Sequence, residues 1–334
     1  MIAELLLNTL DAHDQMAVVF NPKRCLRSRL NSNGCEICLT HCPRKALALR
    51  ERTIVFSADR CTGCMTCVAE CPNDAFASRV DISFLLQEIH NINSRNPVVL
   101  SCDKAAPHDN RIPIPCIGLL SEPVLAALNC VAANEFYLDI HQCADCDNGQ
   151  VLNLLHERIQ RIVKKSGQAG DLKIRYLSVG NFIATTPEQQ RRKFLRMAKK
   201  SMIDLGKGAS TAFVSVGKQG ERKELGGGKE AVSVSRFLQQ ALHQLPNDAV
   251  REQELLHSYF YTSKTTSSCD LCPLCTGICP TGALKRKTDG EKKQLSFTSS
   301  KCSGCGICVE FCRKDALEIL PGVTTDPGIT QAIA

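Results

Sequence analysis

Cys61-Thr62-Gly63-Cys64-Met65-Thr66-Cys67-Val68-Ala69-Glu70-Cys71-Pro72 places four thiols within eleven residues. Three thiols at three-residue spacing can wrap one face of a small inorganic core. The fourth, just before a proline, points away toward a second core. Zinc sites usually use two C-x2-C pairs held well apart, so this run suits a tetrahedral ion poorly. The spacing therefore implies an iron–sulfur cluster of the [4Fe–4S] type.

The run recurs. Cys269, Cys272, Cys275 and Cys279-Pro280 form a full second copy, and Cys302, Cys305, Cys308 and Cys312 a third, with Arg313 in place of the proline. A fourth copy, Cys35, Cys38 and Cys42-Pro43, lacks its first cysteine, and Ser32 stands where that cysteine would be. Flanking residues resolve the gap. Ala17-Val18-Val19-Phe20-Asn21-Pro22-Lys23-Arg24-Cys25 parallels Thr53-Ile54-Val55-Phe56-Ser57-Ala58-Asp59-Arg60-Cys61, and Gly34-Cys35 parallels Gly63-Cys64. Cys25 is thus the expected first ligand, with a seven-residue insertion within Leu26 to Asn33. Ser32 is the weaker option, because thiolate is the usual ligand. After each run a small and an apolar residue return at fixed offsets: Ala46-Leu47, Ala75-Phe76, Ala283-Leu284 and Ala316-Leu317. Such repetition means one supersecondary unit reused.

The chain therefore resembles a polyferredoxin with two bacterial-type 2[4Fe–4S] ferredoxin modules, near residues 17–80 and 264–320. The outward-pointing fourth cysteine implies crossed ligation. Cys25, Cys35, Cys38 and Cys71 would hold one cluster, and Cys61, Cys64, Cys67 and Cys42 the next. In the second module the sets are Cys269, Cys272, Cys275 and Cys312, and Cys302, Cys305, Cys308 and Cys279.

At 334 residues the chain suggests two or three domains. An apolar fraction of 43% is ordinary and allows packed cores. Twenty-one cysteines at this spacing argue for metal ligation in a reducing compartment, expected to be the cytoplasm. No signal peptide is visible, and Met1 to Met16 suggests a short amphipathic helix. No apolar run reaches spanning length. The formal charge of +7 invites a nucleic-acid reading. Four oxidised clusters with their thiolates would contribute about −8 and bring the loaded chain near neutrality, so that reading is weak.

Between the modules, helical patterns over Asp81–Ile92, Glu122–Ala133 (after Ser121 as N-cap) and Gln150–Lys165 alternate with short apolar runs. The runs are Val98–Leu100, Ile112–Pro115, Phe136–Ile140 and Lys173–Val179. Such alternation argues for a parallel sheet covered by helices. Sites in these sheets lie beyond the carboxyl ends of the strands. Cys102, Cys116, Cys143 and Cys146 each follow a strand there and are expected to converge on a metal centre. Cys130 sits among Leu128 and Val131 and is expected to be core.

Pro115-Cys116, Gly118, the helix with Glu122, and the strand leading to Cys143 and Cys146 resemble the delta subunit of methyl-viologen-reducing hydrogenase. The resemblance implies an electron-transfer domain and a [2Fe–2S] cluster on these cysteines, with zinc as the rival. A [2Fe–2S] centre there is expected to link the two ferredoxin modules electrically, whereas zinc would only brace the domain.

Further on, Thr186–Leu205 suggests a basic helix and Gly206–Glu230 a flexible linker. Arg191-Arg192-Lys193 lies too far from the N-terminus for an export signal, and Gly226–Lys229 lacks phosphate-loop spacing. Ser235–Leu245 and Ala249–Tyr261 suggest helices leading into the second module, and Thr324–Ala334 a tail. No dinucleotide fingerprint, radical-SAM triplet, Ser–His–Asp constellation or HExxH motif is present.

The expected fold class is α+β, with two ferredoxin-like modules (1–80 and 264–320) flanking an α/β domain (81–185) with a small parallel sheet. Residues 186–263 would hold the basic helix, linker and connecting helices, and 321–334 the tail. The expected function is an iron–sulfur subunit passing electrons through several clusters to or from a larger oxidoreductase complex, with larger redox enzyme subunits and a soluble electron carrier as the expected partners. The alternative is an iron–sulfur nucleic-acid-binding or redox-sensing protein.

Overall fold

The computed structural model describes residues 18–78, 80–91, 97–105, 111–166, 172–178, 232–245, 248–289, 292–323 and 326–333. The expected leucine-rich N-terminal helix, the basic helix and the Gly/Lys-rich linker lie outside the described residues.

The N-terminal module runs β1 (Val18–Phe20), α1 (Leu26–Arg29), α2 (Ile37–Thr40), β2 (Leu47–Arg50), β3 (Thr53–Phe56), α3 (Thr66–Glu70) and β4 (Phe76–Ser78). The first strand pairs antiparallel with the last, Val18 opposite Ser78, and the inner two form a hairpin, Leu47 opposite Phe56. In the central region α4 (Phe84–His90), β5 (Val99–Cys102), β6 (Arg111–Ile114), α5 (Glu122–Val131), β7 (Phe136–Asp139), α6 (Val151–Ser166) and β8 (Ile174–Leu177) follow. The four strands form one parallel sheet in the order β6-β5-β7-β8. All their carboxyl ends therefore lie along one edge. Ser121 caps α5 by backbone position, but its side chain makes no capping bond.

After α7 (Ser233–Gln244) and α8 (Ala249–Tyr259) comes the second module: β9 (Tyr261–Thr265), α9 (Leu274–Ile278), β10 (Leu284–Asp289), β11 (Lys292–Thr298), α10 (Ile307–Glu310), β12 (Leu317–Pro321) and β13 (Thr330–Ala332). Its first strand pairs with β12 and its inner strands pair with each other, the same scheme as the N-terminal module. Mixed helices and strands, a small parallel sheet and two flanking modules thus describe the architecture.

Two expectations need correction. The segment expected to be a tail adds β13 to the edge of β11, Thr298 opposite Thr330. All three of its residues are exposed, and it is held by backbone pairing and a Thr298–Thr330 hydroxyl contact of 2.8 Å. A strand attached in this way leaves no hydrophobic pattern to read. The helices over 233–259 are also more than connectors. Phe237, Leu238, Ala241, Leu255 and Leu256 belong to one core with Leu100, Leu125 and Phe136 of the central domain. That core continues into the N-terminal module through Val18, Leu47, Ile54, Met65 and Phe76. The second module has a small core of its own, built on Leu284, Leu295, Phe297 and Leu317.

The shared core is tied by buried charge. Arg158 on α6 is 0% exposed. It donates to Gly118 O (3.1 Å), Leu120 O (2.8 Å) and the Glu70 carboxylate (2.8 Å). Glu122 at the start of α5 accepts from Arg161 (2.6 Å) and Tyr259 (3.2 Å) and pairs with Lys165 (2.7 Å). Burial works to raise the Glu122 carboxyl, and the two cations outweigh it and hold the group below its ordinary value. Arg158→Leu strands Glu70 and two carbonyls, so it should destabilise the iron-loaded protein by about 3 kcal/mol. Arg161→Ala, at a half-exposed cation, should cost under about 1 kcal/mol. Denaturant unfolding followed by circular dichroism measures both, and equal losses would overturn this ranking.

Candidate iron–sulfur sites

Each thiol sits in a loop between short elements, and the loop backbone repeats. Three residues after the fourth cysteine of each run the chain turns left-handed: Lys45 (φ 49°), Asp74 (φ 51°), Gly282 (φ 69°) and Asp315 (φ 48°). In three of the four the turn aims the next backbone N–H at the cysteine sulfur. Ala46 N lies 3.2 Å from Cys42 Sγ, Ala75 N 3.3 Å from Cys71 Sγ, and Ala316 N 3.4 Å from Cys312 Sγ. Each alanine is buried, which is why a small residue recurs at that offset. Hydrogen bonds to sulfur are a known lever on cluster potential.

The structure gathers the thiols in crossed sets. Burial pushes Cys38 up to about 12, and the charges of Cys71, Cys35 and Cys25 add to it. Burial likewise raises Cys67, joined by Cys64, Cys61 and Cys42. One cavity is lined by Cys42 together with Cys61, Cys64 and Cys67. In the second module burial raises Cys275 to about 11, with Cys272, Cys269 and Cys312 around it. Those four thiols line a cavity of about 240 Å³. Burial raises Cys308 as well, with Cys279, Cys302 and Cys305 acting on it. Among the described residues no three His, Cys, Asp or Glu side chains close on a single point as ligands of one bare ion. Around Cys269 the thiols instead ring a space several times the volume of an ion.

Ser32 lies elsewhere. Its hydroxyl donates to Glu310 of the second module (3.2 Å), while Cys25 acts on the Cys38 thiol. The inserted residues around Ser32 form a dock. Arg29 donates to Ile278 O (2.8 Å) and Gly277 O (3.0 Å), and Asn33 Nδ2 donates to Glu310 (2.6 Å).

At the sheet edge Cys102 ends β5, and Cys116, Cys143 and Cys146 follow β6 and β7. Burial pushes Cys143 up to about 12, with Cys102, Cys116 and Cys146 acting on it in turn. Cys116 is raised to about 11 by burial and then by Cys64, Cys102 and Cys146. Cys130 is separate: buried in α5, raised to about 12 by burial, with its carbonyl accepting from Arg251 (3.1 Å). Every cysteine but Cys130 thus lies in one of these groups of neighbouring thiols. As bare groups such crowded, buried thiols resist ionisation, whereas a coordinated thiol is deprotonated outright. In the two modules the thiol donors, and the space they ring around Cys269, fit iron–sulfur cores.

Sequence reasoning missed Asn73, Asn148, Gly118 as a contact, and the Arg29–Asn33 dock. Gly118 stood in the quoted Pro115–Gly118 motif, but nothing local marks the others, whose partners are remote in sequence.

Residues 31–75 and 268–316 each match the family of 4Fe-4S dicluster domains. The chain thus carries two ferredoxin-type modules. Cys25 precedes the first matched segment, so its assignment rests on the strand–basic–Cys parallel and the thiol geometry. No curated protein and no solved structure matches the chain. Cys25→Ser should lower bound iron by about four atoms per chain, one cluster's worth, while Ser32→Ala should leave iron unchanged. Metal analysis decides, and iron loss in the Ser32 variant alone would reverse the assignment.

Proposed function

We propose that this chain is an electron-transfer subunit of a larger oxidoreductase complex, carrying four [4Fe–4S] clusters and a fifth centre on Cys102, Cys116, Cys143 and Cys146. The observation that carries the reading is the crossed gathering of thiols. Cys71 stands with Cys25, Cys35 and Cys38, Cys42 stands with Cys61, Cys64 and Cys67, and the second module repeats the scheme. The two dicluster-domain matches support the same role. The chain's other residues bind, shield and tune: backbone N–H groups point at sulfur, and apolar side chains exclude water. For the fifth centre a [2Fe–2S] cluster is favoured over zinc, because the site abuts a ferredoxin loop and a redox centre there has a use. So many free thiols suit a reducing compartment such as the cytoplasm. Among the described residues no helix is long and apolar enough to cross a membrane. We assign the remaining partners to redox enzyme subunits and a soluble electron carrier.

Purified without oxygen, the full chain should hold about sixteen irons in the ferredoxin sets and two more at the fifth. Its brown absorbance should bleach with dithionite and return on reoxidation. Pull-down from the native cell should recover oxidoreductase subunits. A colourless protein, or salt-dependent binding to generic DNA with no redox partner, would sink the reading.

A further inference from the structure

The crossed sets are joined to one another at places the geometry identifies. Within the N-terminal module the helix carrying Cys38 packs on the helix carrying Cys67, and Thr66 donates to His41 O (3.1 Å). Within the second module α9, which carries Cys275, packs on α10, which carries Cys308. Two junctions then connect separate parts of the fold.

The first junction joins the modules directly. Asn73, two residues after Cys71 and 1% exposed, takes the Ser303 hydroxyl on its Oδ1. Ser303 is the residue after Cys302 and Asn73 the second after Cys71, so this bond joins two ligand loops. The Arg29–Asn33 dock onto Gly277, Ile278 and Glu310 holds the same interface.

The second junction joins the N-terminal module to the sheet edge. A Cβ on Gly118 would stand 2.1 Å from Cys64 O, so the loop after Cys116 touches the backbone of a ferredoxin ligand. Asn148 completes the contact. Its side chain bonds the Thr62 hydroxyl and donates to Thr62 O (3.3 Å), while its own N–H lies 3.5 Å from Cys146 Sγ. One residue thus touches both the Cys61 loop and a fifth-site thiol.

We infer that the five thiol sets stand in single file: Cys269/272/275/312, then Cys279/302/305/308, then Cys25/35/38/71, then Cys42/61/64/67, and last Cys102/116/143/146. The fifth set is a terminus reached through Cys64. It is not a link between the ferredoxin modules, because those modules meet each other at Asn73. This order rests on the reading of all five sets as redox centres. Electron tunnelling falls steeply with distance, so van der Waals contact between ligand loops decides which centres exchange. Each step moves one electron, oxidising one centre and reducing its neighbour, with no bond made or broken; dithionite supplies the electron in the test.

The test uses the full iron-loaded chain, partly reduced with dithionite, and reads spin–spin interaction by electron paramagnetic resonance. Metal and sulfide analysis accompanies each sample. Cys61→Ser should abolish the interaction seen at the fifth centre's signal, and Cys302→Ser should leave it. Gly118→Ala should weaken it while iron content stays unchanged. Iron at the fifth site whose interaction survives Cys61→Ser and vanishes with Cys302→Ser would overturn the order while leaving the electron-transfer reading intact. Zinc at the fifth site would also overturn the order, since no electron could stop there. Absence of iron from all sets would instead defeat the underlying reading.

Discussion

The buried guanidinium of Arg158 is the contact on which the placement of the loop after Cys116 depends. It leaves a helix of the central domain and grips two carbonyls of the loop that follows Cys116, and with the same fork it reaches Glu70, the residue before Cys71. The Cys116 loop has one short turn of helix and little regular pairing of its own. Its position comes from that grip. Lysine would offer a single point of charge, whereas the planar fork can satisfy three acceptors in fixed directions at once. Full burial makes each bond strong and each loss costly. With the loop so held, Gly118 can rest against Cys64 O, where any side chain would collide. One ion pair therefore sets the spacing between two thiol sets.

The ferredoxin loops solve a different problem. Their ligands lie in short turns, and the second module has few apolar residues to bury. Modules of this size are marginal without added ties. The crossed fourth cysteine supplies a tie of a particular kind, since each half of the module would complete the other half's ligand set. The antiparallel pairing of first with last strand does the same in the backbone. The left-handed residue three places on turns an N–H toward sulfur at three of the four sites, so the chain's own dipoles stand in for water where water is excluded. Gly304 shows how tight this is: at φ +68° it lets the Tyr261 ring lie on the Cys302 loop, where a Cβ would fall 2.2 Å from the ring.

Much of this was legible because ligand spacing is local. The runs at Cys61, Cys269 and Cys302 are visible in eleven residues each. The strand before Cys25 repeats the strand before Cys61, which is what singles Cys25 out across an insertion. The parallel sheet followed from helices alternating with apolar runs, and the meeting of Cys102 with Cys143 follows from strands that share a direction. What stayed hidden depends on partners far along the chain. Arg29 meets Ile278, and Asn73 meets Ser303; each looks like an ordinary polar loop residue when only its neighbours are considered. The Cys102–Cys146 segment lies between the modules in sequence, yet the shared core draws the central domain onto the N-terminal module, and the two modules meet each other at Asn73 and Ser303.

The insertion at Leu26–Asn33 shows why that meeting is favoured. Lengthening the Cys25–Cys35 loop from two intervening residues to nine raises its closure cost by only roughly 1 kcal/mol, because that cost grows with the logarithm of length. In return the loop presents Arg29 to two carbonyls at the end of α9 and Asn33 to a carboxylate on α10. Hydrogen bonds to charged groups contribute about 1.5–3 kcal/mol each when well formed, so even two of these, discounted for their exposure, offset the longer loop. The α9 carbonyls are also acceptors left over where a helix ends, and a guanidinium there meets the negative end of the helix. A departure from the regular cysteine spacing, which at first obscures a ligand, is thus the means by which one ferredoxin module holds the next.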